Sequence, residues 1–207
     1  ISDSTLVIWP EWIQYYDELP DKNTRPRDVV VGVDLAISQR ETADYTAMVT
    51  IKVYGHGKDL RVYVMPNPVN KRMGFPDTVR TMQELNGILK TEGGHPEFVI
   101  ESNGFQDIYV HAVSDIGCSV VGVKSTSDKR SRLALTSHLI QNGTILFPKQ
   151  GTEDLITQLT GFGVENHDDL CDSFSMAIIK ITEVLEHDRS FDSWMEMCRQ
   201  NGGSCWF

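Results

Sequence analysis

The sequence predicts an α/β fold in which an antiparallel meander and parallel strands share one mixed sheet, with helices packed on it. Three observations carry this. Val29-Val30-Val31-Gly32-Val33 is a short apolar run, as expected of a central strand buried on both faces. Residues 45–54 and 60–64 are β-rich and alternating, and Gly55-His56-Gly57-Lys58-Asp59 between them is turn chemistry, so the two runs make a hairpin. Beyond residue 75, segments with helical spacing alternate with short apolar runs, the mark of helix-strand units.

Residues 1–28 stand apart. Trp9, Trp12, Tyr15 and Tyr16 form an aromatic stretch, and residues 19–28 break all periodicity, so this part reads as an inter-domain connection entering a domain at residue 29. Its aromatics are expected to pack on this domain or on one upstream. After the hairpin, Val79, Met82, Leu85, Ile88 and Leu89 set a helix over 76–90. Residues 97–101 read as a buried strand, 106–116 as a helix and 119–123 as a further strand. Leu133, Leu135, Leu139 and Ile140 mark a helix closed by Asn142-Gly143, and a short strand over 144–147 precedes Pro148. A last helix starts near Asp168, with Leu170, Phe174, Ala177, Ile181 and Leu185 as one apolar stripe. The domain is drawn over 29–187, leaving 188–207 as a tail of no strong pattern.

At 207 residues, 40% hydrophobic and 23% charged, the chain can bury a real core. Disordered, collagen-like and disulfide-scaffold classes need more skewed compositions. No run approaches ~20 uninterrupted apolar residues, so no membrane span is expected. The chain begins at Ile1 with no basic-apolar leader, as expected of a processed piece or excised domain. Cys118, Cys171, Cys198 and Cys205 are far apart and lack zinc spacing, which reads as reduced thiols of an intracellular protein.

The net charge is −10, and residues 151–207 hold 11 acids against 3 bases. Such a balance argues against a general DNA-binding protein, since the phosphate backbone rewards positive charge. The acids' positions matter more than their number. Asp34 ends the first apolar strand, Glu101 closes the strand of Phe98-Val99-Ile100, and Asp168, Asp169 and Asp172 open the last helix. Strand C-termini and helix N-termini gather at one edge of an α/β sheet, so carboxylates from three elements converge there. Each acid alone has a plain explanation as a loop acid or helix cap. Together they repel one another unless hard divalent cations fill the space between them.

The acids sit in runs that resemble a known family. Val31-Gly32-Val33-Asp34-Leu35-Ala36, followed by Ala43-Asp44-Tyr45-Thr46-Ala47, resembles the opening of the nuclease domain in tailed-phage terminase large subunits. Phe98-Val99-Ile100-Glu101-Ser102-Asn103-Gly104 resembles its second motif, and His167-Asp168-Asp169-Leu170-Cys171-Asp172-Ser173-Phe174 its third. The stretch from Asp128-Lys129-Arg130-Ser131-Arg132 to Pro148 resembles the part before the last motif. The resemblance spans about residues 29–186 and implies a ribonuclease H-like fold with helices on both faces. It implies a metal-dependent endonuclease that cuts concatemeric viral DNA at the start and end of head filling. It also implies two Mg²⁺ or Mn²⁺ ions and double-stranded DNA. An upstream ATPase domain of the same subunit, the portal and the small terminase subunit are the implied partners, in the host cytoplasm and transiently at the procapsid portal. No Gly-x4-Gly-Lys-Ser/Thr phosphate loop occurs in the chain, so the motor lies outside it.

On this reading Asp34 bridges both ions while Glu101 and Asp169 each hold one. At about 100° per residue, Asp169 falls on the flank of the apolar stripe nearest the sheet edge. Asp172, one turn on, is an auxiliary ligand, and Asp168 precedes the helix as its cap. Lys124, Lys129, Arg130 and Arg132 are the best local basic group for DNA phosphates. Asp44 could orient a water and His167 could carry a proton, though loop and helix-entry polarity account for both. Three alternatives remain at this stage. A junction resolvase or transposase core would use the same acids. An actin-like phosphotransferase would need glycine-rich turns, and residues 32–44 offer only Gly32. A non-catalytic packaging or docking module would need none of the acids.

Overall fold

A computed structural model describes residues 8–21, 23–35, 45–101, 112–114, 117–123, 129–161 and 168–200, with backbone alone at 129–132, 134, 135, 183, 184 and 187–200. Its centre is one eight-stranded mixed sheet. The strands are β1 (Tyr15–Tyr16), β2 (Asp28–Asp34), β3 (Thr46–Tyr54), β4 (Arg61–Val64), β5 (Val69–Lys71), β6 (Pro96–Glu101), β7 (Ser119–Val123) and β8 (Ile145–Pro148). Their order is β1-β8-β4-β3-β2-β6-β7, with β5 alongside β3. β3 pairs antiparallel with β2, β4 and β5, whereas β2–β6, β6–β7, β4–β8 and β1–β8 are parallel. The expected hairpin of β3 and β4 is present, with Ile51 opposite Val64.

Side-chain alternation along β2 divides the core in two. Val30 packs with Val49, Ile51, Val53 and Val99 on one face, beneath Phe174, Ala177 and Ile181 of the helix α4 (Asp169–Gln200). The helices α2 (Lys129–Gln141) and α3 (Glu153–Thr160) join this face through Leu133, Ile140, Leu155 and Leu159. Val29, Val31, Val33 and Leu35 face the other way, onto Met82 and Leu89 of α1 (Phe75–Thr91). Helices thus cover both faces, as the sequence predicts. All nine residues of β3 are buried, although the run alternates. Covering the second face buries Lys52, which meets Glu92 at 2.7 Å.

Residues 8–16, expected as a connection, add to the sheet. Ile8 and Ile13 are core residues, and β1 lies beside β8. The Tyr16 hydroxyl donates to the Val64 carbonyl at 2.8 Å. At the end of α2, Gly143 takes φ +74°, the left-handed conformation expected of the Asn142-Gly143 stop. The last helix does not end with its apolar stripe and continues as backbone to Gln200. Among the described residues, no helix is long and apolar enough to cross a membrane.

Candidate metal centre

Asp34 is the last residue of β2 and Glu101 the last of β6. The parallel register pairs Val33 with Ile100, so one residue further the two acids stand side by side, about 4.8 Å apart between strands. Alternation fixes their face. Val30 and Val99 lie under α4, and Asp34 and Glu101, an even number of residues further along, point the same way. The β3 residue opposite Asp34 is Ala47, a small side chain that leaves space on this face.

Helix α4 reaches the same place. Its Lys180 lies 3.4 Å from Glu97 near the start of β6, and its Ser173 bonds Gly32 in the middle of β2. The helix therefore runs antiparallel to both strands, and its first residues lie at their C-terminal edge. Asp169, Ser173 and Ala177 form one row at four-residue spacing, and that row passes over Gly32. The Asp168 carbonyl accepts the Asp172 N–H at 2.9 Å, so Asp168 is the residue just before the helix. All five acids are partly buried. Asp169 makes other polar contacts, while its buried Oδ2 accepts no hydrogen bond.

Gly32 makes the approach possible. A Cβ there would lie 1.9 Å from the Ser173 carbonyl oxygen and 2.8 Å from the Ala177 nitrogen. A glycine inside a strand often marks such an approach, and that was the available sequence signal. Ser173, part of the third motif but given no role by the sequence, is fully buried at the same contact.

The structure brings Asp34, Glu101, Asp168, Asp169 and Asp172 to one edge and one face. Among the described residues, no three His, Cys, Asp or Glu side chains are placed to hold a single ion together. Among the described residues, the acids at this edge offer carboxylate oxygens, the chemistry that suits hard divalent cations such as Mg²⁺ or Mn²⁺. The described cysteines, Cys118 and Cys171, are buried in the core. Lys124, Asp44 and His167 lie outside the described residues, as do the side chains of Lys129, Arg130 and Arg132. Five residues separate the start of α2 from β7, whose Val123 is the register partner of Glu101.

No family model and no curated protein matches the chain in sequence. Solved structures do match in shape. The human cytomegalovirus terminase nuclease domain, manganese-soaked and inhibitor-bound, superposes with a TM-score of 0.61 at 13% identity, over 88% of this chain and 98% of that one. The fold is that of a terminase nuclease domain. The large terminase nuclease of thermophilic phage G20c with bound magnesium gives a TM-score of 0.53 at 17% identity, over 83% and 92% of the two chains. The large terminase of another thermophilic bacteriophage gives 0.50 at 9% identity, covering 72% of this chain but 34% of that one. The mixed sheet covered on both faces is thus the ribonuclease H-like arrangement these domains share.

Proposed function

We propose that the chain is a metal-dependent DNA endonuclease that cuts concatemeric viral DNA during genome packaging. The observation that carries this reading is the meeting of Asp34, Glu101 and the start of α4 on one face of one sheet edge, in a terminase nuclease fold. The magnesium-bound G20c and manganese-soaked cytomegalovirus domains support divalent ions as cofactors. On this reading Asp34 would serve both ions, while Glu101 and Asp169 would each hold one. Asp172, one turn into the helix, adds a carboxylate on the outer side. Bound there, two divalent ions would supply an activated water and stabilise the departing 3′-oxygen of a phosphodiester. The residues themselves hold negative charge at a fixed spacing, and DNA contributes the remaining oxygens.

On this reading Lys129 and Arg130, at the start of α2, would supply positive charge for DNA phosphates. They would hold phosphates without reading bases, which gives sequence-tolerant cleavage. Within a packaging complex, the upstream motor, portal and small subunit would deliver the duplex to this edge. The test is incubation of the purified chain with supercoiled plasmid and Mn²⁺ or Mg²⁺. Nicking that stops in excess EDTA is expected; cutting that persists in chelator would overturn the metal reading. No cutting with either ion would leave a docking module as the better account.

A further inference from the structure

The contact between α4 and the sheet is unusually specific. The Val49 N–H donates to Ser173 Oγ at 2.8 Å, and the same hydroxyl donates to the Gly32 carbonyl at 2.7 Å. Gly32 and Val49 are register partners in the β2–β3 ladder. A helix side chain is thus hydrogen-bonded to both strands of an antiparallel pair at one point, in a fully buried setting. Its donor and acceptor are both used. The point lies two residues before Asp34 and one helical turn after Asp169.

Apolar packing alone would fix α4 poorly along its axis, because a row of Phe174, Ala177 and Ile181 on valines tolerates small slides. Hydrogen bonds do not tolerate them. A slide of about two ångströms across a bond of this length stretches it to about 3.4 Å, beyond the usual range. The absent Cβ of Gly32 removes the remaining freedom, since the helix backbone rests directly on the strand. We propose that Ser173 is the positioning residue of the carboxylate edge, holding the helix with Asp169 and Asp172 in register with the strands that end in Asp34 and Glu101. This rests on the metal-site reading above, but it concerns the geometry of the ligands and not the reaction.

The test is Ser173→Ala, which removes both bonds and leaves every carboxylate in place. Mn²⁺ binding is followed by the loss of the free ion's paramagnetic resonance signal, without DNA, beside thermal melting and amide exchange. The expected result is a folded protein whose Mn²⁺ affinity falls by roughly tenfold, the low end of the loss seen when support outside the ligands is removed. Faster amide exchange in the first turn of α4 should accompany it. A lower melting temperature with Mn²⁺ affinity and first-turn exchange both unchanged would make Ser173 merely structural and overturn the proposal. If the alanine variant fails to fold, Ser173→Cys keeps the volume with a weak donor and is judged by the same two readouts. Should the unaltered protein bind Mn²⁺ yet cut no plasmid, the nuclease reading fails while the positioning role stands. Should it bind no Mn²⁺, first-turn exchange alone decides the positioning role.

Discussion

The two ends of β2 and β6 treat charge in opposite ways. At the N-terminal end, Glu97 faces Lys180 at 3.4 Å and Asp28 faces Arg27 at 3.4 Å. A cavity of about 410 Å³ opens there, lined by Arg27, Lys90, His95 and Lys180 as well as the two acids. At the C-terminal end, acids from separate elements gather among the described residues. Asp34 adjoins Glu101, and the helix above opens with Asp168, Asp169 and Asp172. Clustering like charges costs stability, whereas on β6 the acid about 13 Å away sits beside a lysine. The proposed site therefore rests on the arrangement of charge and not on hollow volume.

The sharpest way to break the contrast is to neutralise one acid at each end of β6. Glu101→Gln or Asp34→Asn should abolish metal-dependent nicking while leaving the melting temperature unchanged or raised, since like-charge repulsion is relieved. Glu97→Gln, on the same strand and face, should keep full activity and cost no more than about 1 kcal/mol in a denaturant titration. Equal loss of cutting from both substitutions would erase the distinction between the ends.

A second contrast lies within the helix start. Asp169→Asn should abolish nicking, and Asp168→Asn should retain most of it, because asparagine caps a helix as well as aspartate does. The opposite ranking, read in the same plasmid assay, would move the third ligand to Asp168. A smaller effect concerns the basic run. Replacing Lys129 and Arg130 with glutamine should weaken binding to unrelated duplexes equally. The slope of log affinity against log salt should become shallower by about 1.8. Loss confined to one DNA sequence would contradict phosphate contact.

The smallest expected effect is far from either end. Burial and the neighbouring Tyr63 and Tyr54 push the Tyr16 hydroxyl up to about 12. Its folded value lies above the ordinary 10.0, so its contribution is intact below pH 10 and lost as pH rises towards 12. Alkaline unfolding followed by circular dichroism should show that window, and Tyr16→Phe should flatten it.

What was legible in the sequence follows from locality. The runs ending in Asp34 and Glu101 announce buried parallel strands by composition alone, and the acids at their ends follow from position. The docking of α4 needs Gly32 and Ser173 together, 141 residues apart, and no local pattern joins them. Tyr15–Tyr16 and Val69–Lys71 are strands of two and three residues, too short to show alternation. They exist because a neighbouring strand offers them partners. The helix Glu153–Thr160 was missed because eight residues span barely two turns of periodicity. The gathering of the acids was legible as topology, whereas their spacing about an ion was not, since it depends on rotamers set by long-range packing.

The separations along the chain also order the way the molecule is built. β2 meets β3 across an eleven-residue link, meets β6 with partners 67 residues apart, and receives Ser173 across 141. Closing longer loops costs more entropy and slows the pairing that depends on it. The meander carrying Asp34 is thus expected to form first, Glu101 to arrive with the parallel strand, and Asp169 to come last with the docking helix. The carboxylate edge is complete only when the whole chain is. For a domain proposed to cut DNA, that order keeps every unfinished molecule harmless.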